Sequence, residues 1–246
     1  GYNGANLWGS AKMIDTEFIF DGNATYEWVD CLGADKTYEF TGCTINNANF
    51  LNKTYVSAAG VIKVDGNDYD LNNSTFISTA EELFAFANEV NVNNNAFNGK
   101  TVYLLADIDL ANAVWTPVGQ TGATQFKGTF DGQGKTISNL NIDATAQTGA
   151  NCSSGLFGWL NAATVKNVNI AGATVKGNHN VGVIAGYLET AGCTIEACQV
   201  TGASVECHVA NSDANGDKCG VIVGHAGNTG VAVKNCTAAN STVSAG

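Results

Sequence analysis

The dominant pattern in the sequence is a short phrase of glycine and branched apolar residues, which occurs three times. The copies begin with Gly155-Leu-Phe-Gly158, Val183-Ile-Ala-Gly186 and Val221-Ile-Val-Gly224. Each is followed by two short runs in which apolar and polar residues alternate, as in strands with one buried face. No copy leaves room for a helix. A repeat of this size is typical of a structural unit that stacks on copies of itself.

One slot of the repeat is filled in turn by Val168, Cys198 and Cys236. Exchange of valine with cysteine indicates a small buried apolar site, because a free thiol behaves as a small hydrophobe. We therefore predict a row of stacked core residues here, with a disulfide or a metal site at the two cysteines as the alternative.

The other cysteines include two candidate pairs. Cys207 and Cys219 bracket a polar insertion and could close it as a disulfide, whereas Cys31 with Cys43 is a weaker candidate. No Cys-x-x-Cys or Cys-x-x-His spacing supports a zinc site. The prediction is no metal and no cofactor.

Residues 1–76 show a less regular version of the same pattern. Strand-like segments at residues 13–20, 38–45 and 60–64 are separated by gaps rich in Gly, Asn and Asp. We interpret them as two to three irregular coils, with a small separate β-domain as the alternative. The aromatic residues of this part are interpreted as packing and turn residues.

The period changes from two to 3.6 at residues 80–90, which predicts an α-helix. Leu83, Phe84, Phe86, Ala87 and Val90 lie on one face of that helix. The preceding Ser78 or Thr79 can cap its first turn, and acidic residues follow at its positive end. We expect this helix to cover the first coil of the stack that follows, in a second domain of residues 77–246.

Composition and charge mainly exclude certain partners and a membrane-spanning helix. The 246 residues carry 22 acidic and 11 basic side chains, for a net charge of −11. Nucleic acid and anionic membrane surfaces are therefore not expected partners, because both require clustered basic residues. No apolar run has the roughly 20 residues of a spanning helix. The chain begins at Gly1 without a methionine, so the missing signal peptide says nothing about its export.

Residues 77–246 resemble the GLUG-motif repeats of bacterial surface proteins. The resemblance is carried by FKGTFDGQGKTISNLNI and by the runs GLFGWL, GVIAGYL and GVIVGHAG, with ISTAEELFAFANEV and WTPVG similar to the leader before such repeats. It implies an all-β fold, a right-handed parallel β-helix or solenoid, in a secreted or surface-anchored protein of Bacteroides-like bacteria. Such repeats occur in adhesins and in non-catalytic parts of larger enzymes.

Three carboxylates are the best candidates for catalysis, because β-helices also host enzymes that cleave polysaccharides. Asp107 and Asp109 flank one strand position, and Asp131 follows in Phe-Asp-Gly-Gln-Gly. Glycoside hydrolysis needs two such acids close together. The alternative interpretation is structural: an Asp before glycines builds turns.

The insertion offers a candidate binding loop. The distance from Gly158 to Gly186 is 28 residues, whereas that from Gly186 to Gly224 is 38, so one coil carries a projecting loop. It contains Asp213, Asn215 and Asp217 at alternate positions, a fragment of a calcium-loop pattern without the closing glutamate. A solvated loop is the structural alternative.

The three histidines, His179, His208 and His225, have no regular spacing and are not expected to form a metal site.

These features favour a non-catalytic, extracellular or outer-membrane surface-anchored module. It would be adhesin-like and bind a glycan or a host or bacterial surface protein, with no membrane insertion in this segment. The alternative is a lyase or glycoside hydrolase of β-helix type. Residues 243–246 end in mid-pattern without a polar cap. We therefore expect further coils, an anchor, or edge-to-edge association at the C-terminal coil.

Overall fold

The computed structural model describes residues 2–22, 26–33, 35–51, 56–58, 60–147, 153–208 and 218–245. The chain forms two compact units, Gly1–Phe76 and Ile77–Gly246. In each unit, strands one coil apart in the sequence pair side by side.

The described strands of the first unit are short and lie in three sheets. They are β1 (Tyr2–Leu7), β2 (Ala11–Ile14), β3 (Glu17–Phe18), β4 (Tyr26–Cys31), β5 (Tyr38–Thr41), β6 (Thr44–Ile45), β7 (Ala48–Asn49), β8 (Val56–Ala58), β9 (Val61–Val64) and β10 (Asn67–Asp70). The sheet orders are β1-β4-β8, β10-β9-β5-β2 and β3-β6-β7. Pairing is parallel except for the hairpin partners β9–β10 and β6–β7. A 3₁₀ turn follows at Leu71–Asn73.

Strand β11 (Ser74–Ile77) ends at the first residue of the second unit. It is followed by α1 (Ala80–Asn91), β12 (Thr101–Leu104) and β13 (Ile108–Asp109). The remaining strands follow as three sets of five and a last set of three. They are β14 (Thr129–Asp131), β15 (Thr136–Ser138), β16 (Asn141–Asp143), β17 (Ser153–Ser154), β18 (Phe157–Leu160), β19 (Thr164–Lys166), β20 (Asn169–Ala171), β21 (Thr174–Gly177), β22 (Asn180–Gly182), β23 (Ala185–Leu188), β24 (Thr194–Glu196), β25 (Gln199–Thr201), β26 (Ser204–Cys207), β27 (Lys218–Gly220), β28 (Val223–Ala226), β29 (Ala232–Lys234), β30 (Thr237–Ala239) and β31 (Thr242–Ala245).

Each set of five strands is one coil, and equivalent strands stack into five sheets across the described residues. Sheet I is β11-β12-β14-β19-β24-β29, sheet II is β13-β15-β20-β25-β30, and sheet III is β16-β21-β26-β31. Sheet IV is β17-β22-β27, and sheet V is β18-β23-β28. From β14 onward every pairing between coils is parallel. The predicted all-β parallel β-helix is confirmed.

Coil 1 (β14–β18), coil 2 (β19–β23), coil 3 (β24–β28) and the final coil (β29–β31) share one apolar interior. The predicted row of small residues is confirmed in it. Val168 and Cys198 are fully buried, and Cys236 packs against the same core. Cys198 and Cys236 are free thiols, so the prediction of stacked core residues holds. Burial raises the pKa of the Cys198 thiol to about 12, which makes it unreactive.

Helix α1 covers the interior of the second unit as predicted. Leu83, Phe86, Ala87 and Val90 are buried, and Phe84 is half-buried against the core. The Thr79 hydroxyl accepts a hydrogen bond from the Glu82 amide at 3.2 Å, so it caps the first turn. The Phe86 ring lies against four other rings, at centroid distances of 5.1, 5.6, 5.9 and 6.5 Å from Phe97, Phe126, Phe130 and Phe157.

Sheets IV and V pack so closely that their backbones meet without side chains between them. A Cβ placed on Gly186 of sheet V would lie 2.7 Å from the Ser153 Cβ and from the Ser154 amide nitrogen of sheet IV. One on Gly224, a coil later in sheet V, would overlap the Val181 amide nitrogen of sheet IV. The repeated glycines of the sequence are therefore required by this backbone contact.

A disulfide joins Cys207 to Cys219, which confirms the first candidate pair. The bond connects β26 to β27 and closes the insertion, whose residues 209–217 lie outside the described residues. The second candidate pair is wrong: Cys31 and Cys43 are both buried free thiols. Both occupy core positions, where apolar burial is sufficient to explain a cysteine.

Reducing the disulfide should lower the free energy of unfolding by about 3 kcal/mol, the loop-closure entropy expected for a loop of this size. The measurement is urea unfolding of the chain with and without dithiothreitol. A Cys207→Ser, Cys219→Ser double variant is the control, because reductant should leave its unfolding curve unchanged. Equal stability of the oxidised and reduced chains would contradict the prediction.

The corner between sheets I and II contains one left-handed residue other than glycine in each coil. Gln133, Asn167, Ala197 and Asn235 occupy this corner with φ of 49°, 54°, 51° and 55°. Asparagine tolerates that conformation, but for alanine it costs about 1–2 kcal/mol. Ala197 is therefore the strained member of the row.

Ala197→Gly should raise the free energy of unfolding by about 0.5–1 kcal/mol. Glycine removes the strain of the left-handed conformation, but part of this gain is offset because glycine loses more backbone entropy on folding than alanine does. Chemical denaturation is the measurement. Ala171→Gly on strand β20 is the matched control, and the same principle predicts a loss of similar size there. If Ala197→Gly destabilises the chain as Ala171→Gly does, the strain argument fails.

The final coil leaves apolar side chains in water. Val233 is 48% and Val243 49% exposed, whereas the equivalent Ile195 and Val205 one coil earlier are fully buried. Strand edges with apolar residues associate with other strands. We therefore expect edge-to-edge association at this coil.

Sedimentation should show self-association that rises with concentration, and a Val233→Lys, Val243→Lys variant should be largely monomeric at the same concentrations, because charges block edge pairing. Lysines at Val61 and Val92, which are exposed elsewhere, provide the control. A wild-type chain that stays monomeric up to millimolar concentration would contradict the prediction.

Candidate functional site

The three carboxylates considered for catalysis each hold a corner of the coils. Asp107 accepts a hydrogen bond from the Thr136 amide at 2.8 Å. Asp109 accepts one from the Ala111 amide at 2.8 Å and one from Asn139 Nδ2 at 2.7 Å. These two bonds hold the pKa of the Asp109 carboxyl below its usual value, with the Ala111 amide as the larger cause.

Asp131 is buried and makes three contacts. It accepts hydrogen bonds from the Gln133 amide and Asn167 Nδ2, both at 3.0 Å, and Lys166 Nζ lies 3.2 Å away. Asp131 ends β14 in sheet I, whereas Asp109 ends β13 in sheet II. The Ala111 bond of Asp109 and the Gln133 bond of Asp131 are local turn contacts, whereas Asp107 bonds to an amide of the next coil.

The predicted loop residues Asp213, Asn215 and Asp217 lie outside the described residues. Of the histidines, His208 Nε2 lies 2.5 Å from Glu206 Oε1, and His179 is buried beside β22. Across the described ranges, no group of three or more His, Cys, Asp or Glu side chains is arranged to hold a metal ion.

The outward charges of the second unit alternate in sign from coil to coil. In sheet I, Asp131, Lys166, Glu196 and Lys234 face one another in register, with ion pairs of 3.2 Å at Asp131–Lys166 and Glu196–Lys234. We call such a row a charge ladder. Its members neutralise one another, so this surface offers no net charge to a ligand.

Sheet III carries a second charge ladder of Asp143, Lys176 and Glu206, in which Lys176 lies 3.1 Å from Glu206. The hydrogen bond from Lys176 is the largest cause that lowers the pKa of the Glu206 carboxyl, and His208 adds to it.

The first unit repeats the arrangement across a surface cavity of about 930 Å³. Lys12, Glu39, Lys63 and Asp68 line this cavity and form a third charge ladder, with ion pairs of 3.2 Å at Lys12–Glu39 and 2.7 Å at Lys63–Asp68. These charges are likewise matched internally.

Sheet V differs, because its outward row is aromatic. Trp159, Tyr187 and His225 occupy the same position in three successive coils. The Trp159 and Tyr187 rings meet edge to face at 4.6 Å, and the Tyr187 and His225 rings are stacked at 4.7 Å. Trp159 is buried and Gly122 lies against its ring, whereas Tyr187 and His225 are half-buried. We call this row the aromatic column.

A network of amides and one carboxylate lies beside the aromatic column. Glu189 Oε2 accepts hydrogen bonds from Gln125 Nε2 and, at 3.3 Å, from Asn161 Nδ2. Asn161 Nδ2 also donates to Gln125 Oε1 at 2.7 Å, and Thr190 Oγ1 donates to Asn161 Oδ1 at 3.0 Å. The Glu189 carboxylate is therefore fixed through one oxygen.

The column and the network are neighbours on the coil. Tyr187 lies on β23 and Glu189 comes directly after the end of that strand, and the two side chains are near enough for the Glu189 charge to raise the pKa of the Tyr187 phenol. Gly227 occupies in coil 3 the position that Glu189 occupies in coil 2, and a side chain at Gly227 would overlap the Tyr187 ring. The Tyr187 phenol fits here because Gly227 has no side chain.

Electrostatics keep the exposed end of the column neutral at physiological pH. Burial is the larger cause that lowers the pKa of His225, and the Lys218 charge adds to it. Burial, together with the Glu189 charge, raises the pKa of the Tyr187 phenol. Neutral imidazole and phenol groups can each both donate and accept hydrogen bonds.

The aromatic column was not among the sites predicted from the sequence. A sequence pattern for it does exist, because the residues directly after Gly158, Gly186 and Gly224 are Trp159, Tyr187 and His225. The irregular spacing of the three histidines hides the place of His225 in this row. The partners Gln125 and Glu189 are 64 residues apart, and no sequence pattern connects them.

Fold and surface together define this chain as a parallel β-solenoid with repeated coils. Residues of the chain are 48% identical to halomucin of Haloquadratum walsbyi over 62 residues, which is 25% of this chain and 1% of halomucin. The chain thus spans a very small part of that relative. No family model and no solved structure matches it. In the part of the chain that is described, no helix has the length and apolar character needed to span a membrane.

Proposed function

We propose that this chain is a non-catalytic, extracellular surface module of adhesin-like type that binds glycans. The observation that carries the proposal is the aromatic column with its neighbouring network on sheet V. These side chains are outward-facing, ordered by hydrogen bonds and ring contacts, and not needed to turn the coils. Aromatic rings beside a few fixed polar groups are typical of small-molecule sites.

Two findings support an extracellular location for the module. One is the similarity to halomucin, and the other is the Cys207–Cys219 disulfide, since disulfides persist in oxidising compartments. The resemblance of residues 77–246 to GLUG-motif repeats is consistent with such a protein, and attachment to a bacterial surface belongs to this proposal.

The rival function is cleavage of a polysaccharide. The hydrogen bonds of Asp107, Asp109 and Asp131 favour binding over cleavage, because each of these acids already holds a corner of the coils. A catalytic pair would need carboxyls about 5 to 9.5 Å apart and facing a common cleft.

The test is to apply the purified chain to an array of host and dietary glycans and to assay the same glycans for release of reducing ends. We expect binding without release. Release that is lost in an Asp107→Asn, Asp109→Asn variant would overturn the proposal in favour of the hydrolase. Binding to surface proteins but to no glycan would establish the protein-binding alternative.

A further inference from the structure

The exposed end of the aromatic column combines aromatic rings with a fixed carboxylate, as sugar subsites do. The carboxylate oxygen that is not bound to neighbouring amides indicates the class of sugar. Glu189 Oε2 is occupied by Gln125 and Asn161, which leaves Oε1 for a ligand. A carboxylate held by two amides is already oriented before a ligand arrives, so little ordering entropy is lost on binding. Carboxylate oxygens accept hydrogen bonds from hydroxyl groups at short distance.

The rings of Tyr187 and His225 supply the apolar half of the subsite. Both are half-buried and stacked at 4.7 Å, so they present a rigid combined edge rather than two mobile side chains. One face of a pyranose ring exposes C–H groups, which pack on aromatic rings, while its hydroxyls point outward around the ring. A sugar that lies against these rings can place hydroxyls toward Glu189, which comes directly after the strand that carries Tyr187.

Charge decides between neutral and acidic sugars. The subsite contributes a carboxylate, and the whole chain carries a net charge of −11. Lys166, Lys176 and Lys234, outward lysines of the same unit, are paired within charge ladders. Lys218 acts on His225 but can offset only one negative charge, so Glu189 together with a sugar that carries its own carboxylate or sulfate would leave excess negative charge at the subsite.

We propose that Tyr187, His225 and Glu189 bind one neutral pyranose residue of a glycan, with its C–H groups against the exposed edges of the two stacked rings and its hydroxyls donating to Glu189. This inference rests on the proposed glycan-binding function and assigns that function to one surface of sheet V. Gln125 and Asn161 act as positioning residues for the carboxylate.

The experiment is calorimetric titration of the chain with neutral oligosaccharides of glucose, mannose and galactose, and with oligosaccharides of glucuronate. Neutral oligosaccharides should bind and the glucuronate series should not. Glu189→Gln keeps the shape of the side chain but removes the charge, and should weaken binding about tenfold to a hundredfold. Tyr187→Phe keeps the ring that contacts the sugar and should leave the affinity nearly unchanged.

Glu196→Gln is the matched control, because Glu196 is an outward carboxylate of sheet I near Glu189 in the sequence. It should leave affinity unchanged. Circular dichroism and urea unfolding check that every variant is folded. Affinity that survives in a folded Glu189→Gln, His225→Ala variant would overturn this site while leaving the glycan-binding function intact. Preference for glucuronate would also overturn it, and no binding to any glycan would remove the proposed function itself.

Discussion

Replacing Gly186 by alanine is expected to lower the free energy of unfolding by about 3 kcal/mol or more. The added methyl group would lie 2.7 Å from both the Ser153 Cβ and the Ser154 amide nitrogen, and 2.9 Å from the Asn180 carbonyl oxygen. Two of these three atoms belong to the backbone. The strain cannot be relieved by a rotamer change and must separate sheets IV and V.

The measurement is urea unfolding followed by far-ultraviolet circular dichroism. Gly122→Ala is the control in the same unit, because a Cβ at Gly122 would lie at ordinary contact distance, 3.6 Å from the Trp159 ring. We expect this control to stay within about 0.5 kcal/mol of the wild-type chain, as is usual for surface substitutions. A Gly186→Ala variant as stable as the control would show that the two sheets can separate freely.

Phe86→Ala should cost about 3–5 kcal/mol, the range for removing a buried aromatic ring. Phe86 is 3% exposed, and it joins α1 to rings from the first coils, Phe126, Phe130 and Phe157. Its loss leaves a cavity where the helix closes the interior, so the helix itself is expected to loosen.

Hydrogen exchange of the α1 amides, together with denaturant unfolding, measures this effect. Val92→Ala is the control at the end of the same helix, because Val92 is 65% exposed. Faster exchange of the α1 amides, while the amides of the coils stay protected, would show that the loss of stability is confined to the helix. Unchanged exchange and stability in Phe86→Ala would mean that the helix does not stabilise the stack.

The sequence was sufficient to predict the interior of the coils because inward positions are determined by their neighbours. Phe130, Val165 and Ile195 lie in register and are fully buried, and only apolar side chains fit a position covered from above and below. Helix α1 was predictable for a similar reason, since its apolar face repeats every three to four residues.

The outward surface was not predictable in the same way. Outward side chains are constrained by neighbours in the adjacent coil, about 30 residues away, and the local pattern says nothing about them. The carboxylates show the same limit. Asp109 has the side chain of a catalytic acid, but its partner is the Ala111 amide in a corner formed by left-handed Ala111 and Asn112. The Ala111 amide reaches the Asp109 carboxylate only once this corner has formed, so the sequence alone does not show the bond.

Because the charge ladders alternate in sign from coil to coil, removing an odd number of coils brings like charges together, whereas removing an even number does not. Excising coil 2 would bring Asp131 opposite Glu196 in sheet I and Asp143 opposite Glu206 in sheet III, so that like charges would meet on two faces at once. Excising coils 2 and 3 together would instead bring Asp131 opposite Lys234. A column of this kind can grow or shrink without electrostatic penalty only by even steps.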